Sequence, residues 1–195
     1  MIDSETTMMN LKNLLSRALL ALSLLAGAAT ASPVYHVALD TAAASGDGYM
    51  QIDFLPFGTS DVLTATISNL DGAFTGTPDL VNVTQAGGAL TFKSDAFSEF
   101  FQSILLGGKF GFDVMFGGTP SDAGSTGLTV SLLDSAGNYL SPDPAVQISL
   151  VAGEAPAVVT DPAFATVNPV PEPADWMLVA TGLILLGAMQ QRRRT

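Results

Sequence analysis

One histidine, no cysteine and fourteen carboxylates set the chemistry open to residues 32–170 of this 195-residue chain. A catalytic imidazole needs a carboxylate, a nucleophile or a metal to work with. No such partner can be assigned to His36 from spacing, so this residue, beside Tyr35 in an apolar stretch, is read as structural. The missing cysteine excludes thiolate catalysis, disulfides and cysteine-based metal sites. Glycoside hydrolysis needs two carboxylates facing each other across a sugar. Most acids here sit at turn positions, where aspartate accepts backbone hydrogen bonds. Asp40, Asp47 and Asp53, or Asp71 with Asp79, offer hard oxygens beside glycine carbonyls and are the candidate ligands for a structural calcium ion, although neither an EF-hand loop nor a nonapeptide repeat accompanies them. Gly87-Gly88 does not open a strand-to-helix phosphate loop. Tyr35, Tyr49 and Tyr139 could form a platform for stacking sugars, with core or surface packing as the plainer reading.

Charge narrows the partners. Of seven basic residues, Lys12 and Arg17 lie near the start and Arg192, Arg193 and Arg194 near the end, which leaves only Lys93 and Lys109 in residues 32–170. Against fourteen acids this gives 2 − 14 = −12. Nucleic-acid binders cluster Lys and Arg, so no nucleic acid is expected as a partner.

The elements that must carry these residues read as strands. Short alternating or apolar runs at 34–39, 49–55, 62–69, 80–84, 89–93, 109–116, 127–133 and 146–151 are separated by Gly, Asp and Asn turns. Met50, Ile52 and Phe54 alternate with Gln51 and Asp53, and Phe110, Phe112, Val114 and Phe116 form a second apolar face. The expectation is an all-β protein, an antiparallel β-sandwich of about eight strands. One short helix is expected over 95–106, where Phe97, Phe100, Phe101, Ile104 and Leu105 recur at helical spacing and Gly107-Gly108 ends the run.

Both ends read as addresses. Lys12 and Arg17, an apolar stretch over 18–29 and Ala29-Thr30-Ala31 before Ser32 form a signal peptide with cleavage after Ala31. The acidic residues ahead of Met8 and Met9 leave either methionine as an alternative start. Near the other end, Pro171-Glu172-Pro173 precedes fourteen apolar residues from Trp176 to Met189 and then Arg192-Arg193-Arg194. Fourteen residues give about 21 Å of helix, a marginal span for a hydrocarbon core of roughly 30 Å. The arginines would stay cytoplasmic.

Pro-Glu-Pro, a short apolar helix opening on Trp176 and a terminal arginine cluster resemble the PEP-CTERM sorting signal of Gram-negative bacteria. The resemblance implies recognition of Pro171, Glu172 and Pro173 by an exosortase, a membrane transpeptidase-like enzyme, in hosts that export polysaccharide. The middle of the chain resembles the subgroup of these proteins with one small β-domain, through Val37-Ala38-Leu39-Asp40-Thr41, Gly48-Tyr49-Met50-Gln51-Ile52-Asp53-Phe54, Ala65-Thr66-Ile67-Ser68-Asn69-Leu70 and Phe110-Gly111-Phe112-Asp113. It carries no activity with it.

The expected organisation is a signal peptide (1–31), a β-sandwich domain (32–155), a stalk rich in Pro, Ala, Val and Thr (156–169) and the sorting signal with its transmembrane helix (170–195). The expected role is that of an exported, non-enzymatic surface or extracellular-matrix protein. Its partners would be signal peptidase, an exosortase, the inner membrane before processing, and exported polysaccharide associated with a biofilm. The alternatives are a carbohydrate-binding module and a polysaccharide hydrolase. No cofactor is expected beyond that structural calcium.

Overall fold

The computed structural model describes residues 32–58, 61–121 and 124–170, together with Gly182. The signal-cleavage residues Ala29 and Ala31 and the sorting residues Pro171, Glu172, Pro173, Arg192, Arg193 and Arg194 lie outside them. No helix among the described residues is long and apolar enough to cross a membrane.

Residues Ser32–Val170 form one compact unit of twelve strands. They are β1 (Val34–Asp40), β2 (Gly46–Phe57), β3 (Thr64–Asp71), β4 (Phe74–Val81), β5 (Val83–Ala86), β6 (Ala89–Lys93), β7 (Ser98–Leu106), β8 (Lys109–Gly117), β9 (Ser125–Asp134), β10 (Val146–Val151), β11 (Ala157–Thr160) and β12 (Ala165–Val170). The first sheet has the order β12-β1-β8-β3-β6-β5 and the second β11-β10-β9-β2-β7-β4. Every pairing of these strands is antiparallel. The protein is a β-sandwich, and the expected all-β class is what is observed.

Alternation places the core. Met50, Ile52 and Phe54 of β2 and Leu128 and Val130 of β9 point inward from the second sheet, against Val37, Ile67, Phe92, Phe112 and Val114 from the first. Phe74 meets Phe110 edge to face at 5.3 Å and helps close one end of this layer. The turn below it requires glycine. Gly72 has φ +142°, and a Cβ there would fall 2.2 Å from the Phe110 ring.

Three features depart from expectation. Residues 98–106 are not a helix but β7, an interior strand between β2 and β4. The pattern is hidden because Ser98 and Gln102 occupy buried inner positions while Phe101 and Leu105 point outward, so the apolar set coincides with a helical period. Sheet pairing on both sides overrides that local signal. The run at 80–84 is two strands, for the chain passes from one sheet to the other at Asn82, which has φ +52°. Residues 156–169 are no stalk. They supply β11 and most of β12, which pair with β10 and β1 as the outermost strands at one side of the sandwich.

Truncation after residue 155 is therefore expected to uncover the edges of β10 and β1 and the apolar surface under Phe164, Ala165 and Val167. The cost is about 3 kcal/mol or more, equivalent to a drop of about 10 °C in a thermal melt followed by circular dichroism. A free stalk would leave the midpoint unchanged. Thr126, fully buried on the inner face of β9, is the one described residue whose buried side-chain polar atom finds no hydrogen-bond partner. Thr126→Val keeps the shape and removes that orphaned hydroxyl, so it should stabilise by about 1 kcal/mol in urea titration.

Candidate functional site

The outward faces of the two sheets differ in what they gather. On the first sheet, His36 of β1, Asp113 of β8 and Ser68 of β3 fall in one row. His36 Nδ1–H donates to Asp113 Oδ1 at 2.7 Å, and Asn69 Nδ2 donates to Oδ2 at 2.7 Å. The Asn69 amide, and then the imidazole, hold the Asp113 carboxyl below the usual carboxylate range. Asp113 stands between His36 and Ser68, so the serine lies about 9.6 Å away at two strand spacings. This arrangement ties three strands together and does not assemble a nucleophile with its base. The histidine's carboxylate partner, 77 residues away, leaves no trace in local spacing.

The calcium candidates are not brought together. Asp40 ends β1 in the first sheet and faces Lys109 at 3.8 Å, both side chains being largely exposed. Asp47 and Asp53 lie on β2 in the second sheet, six residues or about 20 Å apart. Asp71 ends β3 in the first sheet, whereas Asp79 sits in β4 of the second. Among the described residues no three His, Asp or Glu side chains cluster as a metal set.

The second sheet presents the richer surface. Strict alternation in β2 and β7 turns Tyr49, Gln51, Asp53, Glu99, Phe101 and Ser103 outward. Antiparallel partners share a face, so Tyr49 sits opposite Ser103, Gln51 opposite Phe101 and Asp53 opposite Glu99. Tyr49 and Phe101 stack with centroids 5.0 Å apart and planes 22° from parallel. Beside them Gln51 Nε2 donates to Glu99 Oε1 at 2.8 Å and to Asp53 Oδ1 and Oδ2 at 3.2 and 3.1 Å. One amide thus lies between two carboxylates. Burial pushes Asp53 up to about 6, the Gln51 hydrogen bond works against that, and the Glu99 charge adds to it. The Gln51 amide occupies the space between the two carboxylates and is hydrogen-bonded to both.

The tyrosines divide. Tyr35 points inward and packs against Phe116 at 6.2 Å, and its burial raises the phenol pKa. Tyr49 and Tyr139 flank Leu133 on the outer side of the second sheet. Sequence reasoning missed Glu99, Phe101 and Ser131 on this face. Assigning 95–106 to a helix hid the first two, and Ser131 lies within a strand whose outward residues carry no charge.

Comparison of the chain with protein-family models, with curated proteins and with solved structures finds no match.

Asp53 has a testable signature. Its folded pKa, near 6, lies above the ordinary 3.8. The stability it contributes is fully present below pH 3.8 and is lost as the pH rises through about 6, where the charged form opposes folding. Asp53→Asn should therefore raise stability at neutral pH by about 1 kcal/mol, discounted for a half-exposed group, or about 4 °C. Melts near pH 4 should not distinguish the two proteins.

Proposed function

We propose that this chain is an exported, non-catalytic surface or extracellular-matrix protein, processed at both ends. In this reading signal peptidase removes residues 1–31, and an exosortase-type enzyme acts on the segment that begins with Pro171-Glu172-Pro173. The apolar run after Trp176 holds the precursor in the inner membrane, with Arg192, Arg193 and Arg194 on the cytoplasmic side. The mature domain then belongs to the cell surface or matrix of a Gram-negative bacterium.

The observation that carries the reading is the pairing of the first strand with the last. Val34 of β1 faces Val170 of β12 as the end pair of an antiparallel ladder. The chain enters and leaves the sandwich at one corner, and both proposed cuts fall outside all twelve strands and the core. Processing at either end therefore removes none of the twelve strands and none of the described core residues.

Intact mass of the protein from the native host, measured separately on membrane and culture fractions, tests this. The expected product lacks residues 1–31 and everything beyond the Pro-Glu-Pro region. A product that keeps Trp176 through Thr195 would make the tail a plain anchor, and an uncut cytoplasmic chain would overturn export.

A further inference from the structure

We infer that Asp71 is a site of spontaneous isoaspartate formation, at which the folded chain slowly reroutes its own backbone through the aspartate side chain. This rests on the geometry of one turn and not on the proposed export.

Isoaspartate forms most readily where aspartate precedes glycine, because no Cβ then shields the attacking amide nitrogen. The sequence holds two such steps, Asp47-Gly48 and Asp71-Gly72. The fold treats them differently. Gly48 is buried in the interior strand β2, paired with Ile104 of β7 on one side and with Asp134 of β9 on the other. A Cβ at Gly48 would fall 2.5 Å from the Leu133 carbonyl oxygen, so the main chain there has no room to turn. Asp71 and Gly72 are both exposed. β6 pairs with β3 only as far as Ile67, and on the other side the register of β3 with β8 shifts between Ser68 and Asp71. Gly72 lies just beyond the strand, with φ +142°.

Both reacting groups are unengaged. Among the described residues neither the Asp71 carboxylate nor the Gly72 N–H makes a hydrogen bond, while the Gly72 carbonyl accepts from the Phe74 N–H at 3.0 Å. Carboxylates at other turns are held. Asp40 accepts from the Ala42 N–H, Asp134 from those of Ala136 and Asn138, and Asp161 from that of Ala163. The Asn69, Asn82 and Asn138 amides, which could react in the same way, are hydrogen-bonded, and none of them precedes glycine. At Asp71 the Gly72 nitrogen attacks the carbon of the protonated carboxyl. An N–Cγ bond forms, a Cγ–O bond breaks, and the hydroxyl leaves with the amide proton as water, which closes a succinimide. Water then adds to either ring carbonyl. Opening at Cγ restores aspartate, whereas opening at the main-chain carbonyl breaks the original peptide bond and leaves isoaspartate. One water is lost and one regained, so no oxidant or cofactor takes part. The product has a main chain one carbon longer immediately before Gly72, the residue at which a Cβ would already fall 2.2 Å from the Phe110 ring. The contact of Phe74 with Phe110 at 5.3 Å follows directly in the chain and is displaced with it.

The full chain in mild detergent, aged for weeks at neutral pH and physiological temperature and then digested with pepsin, tests this. Electron-transfer fragmentation of the peptides across both steps reports isoaspartate by the Cα–Cβ cleavage peculiar to it, and a parallel sample in concentrated urea gives the rates without a fold. In urea the two aspartates should react alike. In the folded chain Asp47 should slow by about tenfold or more, because reaction there requires opening of an interior strand, while Asp71 keeps most of its rate. Asp71→Glu should abolish the product at that position and leave Asp47 as it was. The aged protein should contain a fraction melting about 4 °C lower, absent from the aged Asp71→Glu variant. No product at Asp71 in the folded chain, or a slowing there equal to that of Asp47, would overturn the inference. Equal reaction at both aspartates in the folded chain would show that sequence alone governs it, and product at Asp71 with an unchanged midpoint would overturn the consequence for the Phe74–Phe110 contact.

Discussion

Two stacked sheets can bury their inner faces only if the chain crosses between them, and here it does so repeatedly. Of the eleven connections, β5–β6, β9–β10 and β10–β11 stay within a sheet, so the other eight cross. Each crossing takes backbone polar groups out of a ladder at the rim of a desolvated layer, where leaving them unpaired would cost about 1–3 kcal/mol apiece. Three buried hydroxyls meet that demand. Thr41 Oγ1 donates to the Gly108 carbonyl and accepts from the Gly107 N–H, tying the β1–β2 crossing to the β7–β8 crossing. Ser94 Oγ accepts from the Leu63 N–H and donates to the Asp61 carbonyl. Ser98 Oγ donates to the Lys93 carbonyl at 2.6 Å and accepts from the Asn82 side chain at the point where β4 turns into β5.

With its rim sealed in this way, the sandwich can leave its outer faces free to differ. The first sheet spends its polar residues on itself, for Asp113 clamps β1, β8 and β3 through His36 and Asn69. On the second sheet, two acids are set opposite each other on paired interior strands with a single amide between them. Like charges directly across a ladder oppose folding. Burial, with the Glu99 charge adding to it, raises the Asp53 carboxyl to about 6, and the Gln51 amide works against that rise.

The sequence was most readable where burial is one-sided and uninterrupted. β1, β2, β6, β8, β9 and β10 emerge directly from alternation, because Met50, Ile52 and Phe54, or Phe110, Phe112 and Val114, could serve only one face. It was least readable where the two faces exchange character. In β7 the inner positions hold Ser98 and Gln102 because the crossing and the neighbouring strand need hydrogen bonds there, and the outer positions hold Phe101 because Tyr49 stacks on it. β11 and β12 look like a linker because their exposed positions are Val, Thr, Asn and Pro and their strand character comes from partners far back in the chain.

Local chemistry alone determined that this is an all-β protein of −12 domain charge with turns where glycine, asparagine and aspartate stand, since pleat periodicity and turn conformations are properties of a few adjacent residues. Tertiary structure decided which carboxylates become neighbours. Asp53 meets Glu99 across 46 positions of sequence, His36 meets Asp113 across 77, and Val34 meets Val170 at the closing edge, while Asp40, Asp47 and Asp53, close in sequence, end up apart. Strand register fixes those encounters, and register is set by the whole buried layer and not by any segment within it.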